Sequence, residues 1–226
     1  MSDGKIKIPL NHVGGKEGDE IRAAVRGEYF EFCSEDKKGA NPFYLEKKIF
    51  PGLLDDVSKR ELYEAVNIVQ PSLIRTEADE FTYTFHIIIR YEIEKMAVNG
   101  KVSIEDLPRI WNDKYEEYLG IRPSCDREGV LQDVHWASGF GYFPTYAIGN
   151  MYNAMYYNRM KNELDIDALL RSGDFGTING WMEKNVFAKA NLLAPSDWIT
   201  DITGRAFTPV DFLDYLEDKY SELYEL

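Results

Sequence analysis

Cysteine is scarce in this chain: 226 residues hold two, Cys33 and Cys125, far apart in sequence. That spacing offers no disulfide framework and no cysteine-built metal site. Histidine is nearly as scarce. The three present, His12, His86 and His135, include no H-E-x-x-H, the spacing that sets two imidazoles on one helix face around zinc. A site assembled from all three is the remaining option, and no spacing favours it. A serine nucleophile has no G-x-S-x-G elbow to sit on. Basic surplus is missing too. With 26 Lys and Arg against 39 Asp and Glu, the net charge is -13, which leaves nothing to neutralise phosphates and argues against nucleic acid. No uninterrupted apolar run reaches membrane-spanning length, and residues 1–8 hold no apolar core of signal-peptide size. The expectation is a soluble, cytoplasmic protein with no membrane partner.

What is present is helical punctuation. Apolar residues make up 44% of the chain, enough for one sizeable core or two small ones. Residues 1–41 read apart from the rest: a glycine-bearing loop over 11–20, a short helix from Asp19 to Phe32, then a polar break. The strand-like alternation from Lys5 to Pro9 is short. Over 42–226 the pattern predicts one helical domain, mainly α with little or no β. Ser58 and Glu61 have capping-box spacing and open a helix towards Val69. Pro71 opens a long helix that Asn99 and Gly100 close. Ser103 to Asp106 caps the next, which Gly120 ends. Further helices are expected from Pro144 to about Asn162, between Asp165 and Gly173, from Phe175 to Lys189, from Pro195 to Gly204, and from Pro209 onward. In the last, Asp211, Asp214, Glu217, Asp218, Glu222 and Glu225 mark a solvated face.

On a helix from Ser72 to Val98, Arg75, Asp79, Thr82, His86 and Arg90 share one narrow stripe. Ile74, Ala78, Phe81, Phe85 and Ile88 fall opposite, as an apolar face. The plainer reading of the stripe is a solvated surface. The sharper one is a cleft wall. There Arg75, paired with Asp79 one turn on, grips a substrate carboxylate through its bidentate fork.

Gly129 to Trp136 (G-V-L-Q-D-V-H-W) runs through a glycine-jointed turn into Phe140 to Tyr146. Such a bend places polar side chains on an otherwise apolar surface, as substrate clefts do. Gln132, Asp133 and His135 lie on a short turn, where Asp133 or the backbone can orient the imidazole. Tyr142 and Tyr146 share a face if the helix starts near Tyr142, and their hydroxyls can donate to an oxyanion. The structural alternative is a packed histidine and core tyrosines with satisfied hydroxyls. Met151, Tyr152, Met155, Tyr156 and Tyr157 read as packing or a subunit contact.

These strings resemble a known family. Ile74 to Asp79 (I-R-T-E-A-D) fits I/V-R-x-x-A-D, and Gly129 to Trp136 fits G-x-x-Q-D-x-H-W. Both are motifs of the thermostable metallocarboxypeptidases of the Taq and Pfu type, family thirty-two of the metallopeptidases. Phe140 to Tyr146, Trp181 to Asn185 and the stretch from Thr203 to Tyr220 are similar too, so the likeness runs from about Pro42 to Leu226. It implies a largely helical fold with a deep substrate groove, usually in a homodimer. It also implies removal of single residues from peptide C-termini with one divalent metal, normally zinc. The H-E-x-x-H and H-E-S segments that ligate that metal have no counterpart in residues 1–41. Phe187 and Ala190 stand near where the family has a histidine and a glycine.

Carried over, the resemblance makes Arg75, Asp79, Gln132 and Asp133 substrate-binding residues. It sets His135 near the scissile bond or the terminal carboxylate, and Tyr142 or Tyr146 at the oxyanion. The expectation is a truncated metallocarboxypeptidase-like protein: a substrate-groove part with no metal ligands and no cofactor of its own, inactive alone. Its partners would be peptide C-termini and either further copies of itself or a separate chain carrying the zinc motif. The alternative is a non-catalytic peptide- or protein-binding module, or a degenerate remnant.

Overall fold

The computed structural model describes Gly52 and residues 55–137, 139–189 and 192–226. Every regular element among the described residues is helical, with eight α-helices and five 3-10 turns. The short alternation at Lys5 and the expected helix from Asp19 lie outside them, as do Cys33, His12 and Ala190. No described helix is long and apolar enough to cross a membrane. The chain divides into two compact units, Met1–Asn67 with Tyr156–Ala206, and Ile68–Met155 with Phe207–Leu226.

In the first unit, helix α1 (Lys59–Val66) opens on the expected capping box. Ser58 Oγ accepts the Glu61 amide at 3.2 Å, and the Glu61 carboxylate accepts the Ser58 amide at 2.8 Å. The end of α4 (Pro144–Lys161) and helices α5 (Ile166–Ser172), α6 (Phe175–Asn185) and α7 (Pro195–Thr203) also belong here. Met160, Ile166, Leu170, Trp181, Val186 and Ile202 form their core. Asp165 caps α5, and Gly173 ends it at φ 66°, a left-handed conformation that glycine adopts without a Cβ clash. Helix α6 stops short of the expected Lys189. Val186 turns inward to be buried, and a 3-10 turn, Phe187–Lys189, follows.

The second unit packs α2 (Glu80–Val98) on α3 (Leu107–Leu119), with Ile89 and Ile93 against Trp111, Tyr115 and Leu119. Helix α8 (Val210–Tyr224) adds Phe212, Leu216 and Tyr220, which meet Val69, Met151 and Ala154. Lys219, almost fully buried, donates to Glu80 Oε2 at 2.6 Å and fixes α8 to the start of α2. Helix α8 starts one residue later than expected, with Pro209 as its N-cap. Asp214, Glu217, Asp218, Glu222 and Glu225 are exposed, whereas Asp211 is buried.

Helix α2 departs from expectation at two points. It does not begin near Ser72. The chain makes a 3-10 turn at Arg75–Glu77, extends through Ala78, and enters the helix at Asp79. Asp79 is the cap: Oδ1 accepts the Thr82 amide at 2.8 Å, and Oδ2 accepts the Thr82 hydroxyl at 2.7 Å and the Gln70 amide at 3.0 Å. The second departure is which face is buried. The polar stripe is the inner one, with His86 0%, Arg90 1% and Glu94 3% exposed, while Phe81 is 39% exposed. The solvated-surface reading of that stripe is therefore wrong.

Candidate functional site

Asp133 is where the site is tied together. It lies extended between two 3-10 turns, Val130–Gln132 and Val134–Ala137, with its side chain 2% exposed. Gly129 starts this segment where a side chain would be tightly crowded. A Cβ there would come within 3.3 Å of Asn112 Oδ1 and Pro123 Cβ. Arg90 reaches across from α2 and donates from Nε to Asp133 Oδ2 at 2.7 Å. The other carboxylate oxygen accepts the His135 amide at 3.1 Å and lies 2.6 Å from His135 Nδ1. With Asp133 ionised, that contact puts a proton on Nδ1. In the neutral imidazole, Nε2 then accepts from the Tyr146 hydroxyl, 3.1 Å away.

Aromatic rings close around this chain of contacts. Tyr142 stacks on the His135 ring, with centroids 5.6 Å apart, and meets Tyr146 edge-on at 5.4 Å. Arg90 lies 4.6 Å from the Trp111 ring centroid and donates to the His86 carbonyl and the Tyr115 hydroxyl. These partners allow a guanidinium to be buried. Arg75 lies over the rings of Tyr146 and Phe143 and donates to the Tyr83 hydroxyl at 3.2 Å. Its Nε is 3.7 Å from Asp133 Oδ2, close enough for attraction but too far for a hydrogen bond. That buried Nε has no hydrogen-bond partner.

The charges follow from these contacts. Burial pushes the Asp133 carboxyl up, but the Arg90 guanidinium and the two His135 donors outweigh it and hold the group below its usual value. Burial and the Arg90 and Arg75 cations lower His86 to about 4, so it is neutral at pH 7. Burial raises Glu94, against the opposing pull of the Gly141 amide.

Of the residues expected at the site, Arg75, Asp133, His135, Tyr142 and Tyr146 come together. Asp79 and Gln132 do not join them. The Asp79 carboxylate is engaged in capping α2, so the expected Arg75–Asp79 pair is replaced by Arg75–Asp133. Gln132 is exposed and its side-chain amide folds back on the Arg127 carbonyl. Arg90 and His86 were expected on the cleft-wall stripe with Arg75 but not as site residues, and Glu94 was not expected there at all. Their four-residue spacing was visible, but only long-range contacts show that it faces inward.

These residues do not fit a catalytic zinc. Among the described residues no group of three His, Cys, Asp or Glu is placed to hold a metal. His86 feels the charge of two guanidiniums and has Nδ1 on the Tyr115 hydroxyl, and both ring nitrogens of His135 are engaged. A dication would meet cationic neighbours here.

Residues 40–220 match the carboxypeptidase Taq (M32) metallopeptidase family. The chain is 46% identical over 201 residues to Carboxypeptidase 1 of Bacillus subtilis (strain 168), covering 88% of this chain and 40% of that one. It is 39% identical over 225 residues to Thermostable carboxypeptidase 1 of Thermus thermophilus, covering 96% and 44%. The crystal structure of the M32 carboxypeptidase from Deinococcus radiodurans superposes with a TM-score of 0.81 at 36% identity, over 92% of this chain and 42% of that one. The chain thus spans about two-fifths of the length of the curated relatives it matches. It belongs to the carboxypeptidase Taq (M32) metallopeptidase family.

Proposed function

We propose that this chain forms the substrate-binding wall of a metallocarboxypeptidase and receives the free C-terminus of a peptide. The observation that carries this reading is the Arg75 guanidinium. It is held in place by Tyr83, Tyr146 and Phe143, yet its buried Nε has no acceptor. A peptide carboxylate matches the fork of this guanidinium, whose side chain is 14% exposed. His135, fixed by Asp133, lies on the same cluster of rings. Tyr146 shares its hydroxyl with His135. Tyr142, 54% exposed and in contact with Tyr146 through its hydroxyl, is the more accessible of the two to an oxygen of the substrate.

Hydrolysis is a separate matter. The described residues hold no donor set for a metal, and the sequence has no H-E-x-x-H. On this reading the groups that activate water are supplied by residues other than the described ones, and the described part binds without turnover. Its partners are further copies of itself or, for turnover, a separate chain bearing the metal-binding residues.

The test is calorimetric titration with acetyl-Ala-Ala as the free acid and as the C-terminal amide. The acid should bind and the amide should not. Arg75→Ala should weaken the acid by about tenfold or more, as loss of a charged hydrogen bond does. Equal affinity for acid and amide would refute the assignment of Arg75. Release of free alanine by the chain alone would refute its inactivity.

A further inference from the structure

Arg75 sits on a loop, Gln70 to Asp79, that leads into α2. One helix holds both ends of that loop. On the incoming side the Tyr224 hydroxyl of α8 accepts the Val69 amide at 2.8 Å, and Val69 packs on the Phe212, Leu216 and Tyr220 cluster of the same helix. On the outgoing side the Glu80 carboxylate accepts from Lys219 Nζ at 2.6 Å and from the Tyr215 hydroxyl at 3.0 Å. Phe81, next along, meets the Tyr220 ring edge-on at 5.3 Å. The bond from the Gln70 amide to Asp79 Oδ2 ties the two ends to each other. The contacts with α8 tie them to the rest of the unit, so they, and not that bond, place the loop.

Lys219 is the central pin. Its side chain is 6% exposed, and it also lies over the Tyr215 and Tyr220 rings. A buried ion pair adds little net stability over apolar packing, but its directed geometry fixes where Glu80 sits.

The placement of the loop sets a gap at the site. Arg75 Nε stands 3.7 Å from Asp133 Oδ2, beyond hydrogen-bond range, and has no other acceptor. Asp133 has room for it. Oδ2 takes a donor from Arg90 Nε, and a carboxylate oxygen can accept two. The charges are opposite and the Asp133 side chain is 2% exposed, so attraction draws the guanidinium inward. A shift of about 0.5 Å would complete the bond. Tyr83, Tyr146 and Phe143 hold the head group, but the loop sets where the side chain starts.

We infer that α8 is a clasp for the Arg75 loop: Lys219 and Tyr224 are positioning residues that, by holding Glu80 and Val69, keep the Arg75 guanidinium short of Asp133 and open to an incoming carboxylate. Released, Arg75 closes on Asp133 and is spent on an internal pair. The functional half of this rests on the peptide-binding reading of Arg75, but the gap itself is measurable without peptide.

The experiment compares the full chain with Tyr224→Phe, Lys219→Met and the double variant. Each is labelled with 15N-arginine, and the Arg75 Nε–H signal is identified by its loss in Arg75→Lys. In the clasp variants that proton should move downfield as the bond to Asp133 forms. Affinity for acetyl-Ala-Ala should fall by about tenfold in the double variant, the scale of one charge-assisted hydrogen bond. Asp165→Ala, which removes the cap of α5 in the other unit, should lower the urea midpoint without moving the Arg75 signal or the affinity. An unchanged Arg75 signal in folded clasp variants overturns the inference, whatever happens to stability. Tyr224→Phe removes a single oxygen from a ring 45% exposed, so it decides the matter even if Lys219→Met fails to fold. A shifted signal with unaltered affinity overturns the functional half. Wild-type chain that binds acid and amide alike removes the peptide reading instead, and the signal comparison still decides the clasp.

Discussion

Asp133 receives Arg90, His135 and the field of Arg75 on one carboxylate. Asp133→Asn would leave Arg90 buried without a counter-charge and His135 without its orienting acceptor. Stability should fall by about 3 kcal/mol or more, read as a lower urea midpoint with unchanged m. His86 sets a pH dependence of definite sign. Its folded pKa, about 4, lies below the ordinary 6.5, so the unfolded chain binds the proton more readily. Stability is therefore lost as pH falls from 6.5 towards 4, by up to about 3 kcal/mol. Asp133, lowered in the fold, acts in the same sense: its contribution is present above the unfolded value and lost as pH falls through the folded one. Glu94, raised in the fold, acts oppositely and loses its contribution as pH rises through its folded value. Urea melts at pH 7 and pH 5 should show the lower midpoint at pH 5. His86→Gln should reduce the difference.

At the scale of elements, Asp79 acts on a helix start. Asp79→Ala should cost about 1–2 kcal/mol through the lost cap. Circular dichroism under urea reads the stability change, and calorimetry should show acetyl-Ala-Ala binding largely retained. The helix boundaries marked by local chemistry were legible: the Ser58–Glu61 box, Asp165 with Gly173, and Pro195 with Gly204 all have their reasons within a few residues. The start of α2 was not legible, because Pro71 and Asp79 are both valid openings and only the hydrogen bonds of Asp79 separate them. The inner face of α2 was misread for a related reason. A stripe with two arginines reads as solvated unless a distant carboxylate and a tryptophan are known to receive them, and Asp133 and Trp111 are far away in sequence. The 129–146 segment was legible as a cluster, since its glycines, aromatics and Asp133–His135 spacing are local.

For the whole molecule, exposed apolar surface sets the expectation. Leu131, Val134, Phe140 and Tyr142 are all exposed on the segment that carries the site. Such a concentration favours association. Sedimentation velocity should show concentration-dependent association, weakened by Leu131→Ser with Val134→Ser. A monomer at all concentrations, with no added chain binding it, would count against a partner on this segment. Arg75, Asp133 and His135 all lie within residues 40–220, the range that matches the family, whose relatives named above are more than twice this length. The measurement that bears most directly on the proposal is a crystal structure of the chain grown with zinc and acetyl-Ala-Ala. The result expected is the dipeptide carboxylate on the Arg75 guanidinium beside His135, with no cation held by this polypeptide. A zinc ion ligated by this chain alone, or a dipeptide seated away from Arg75 and His135, would contradict it.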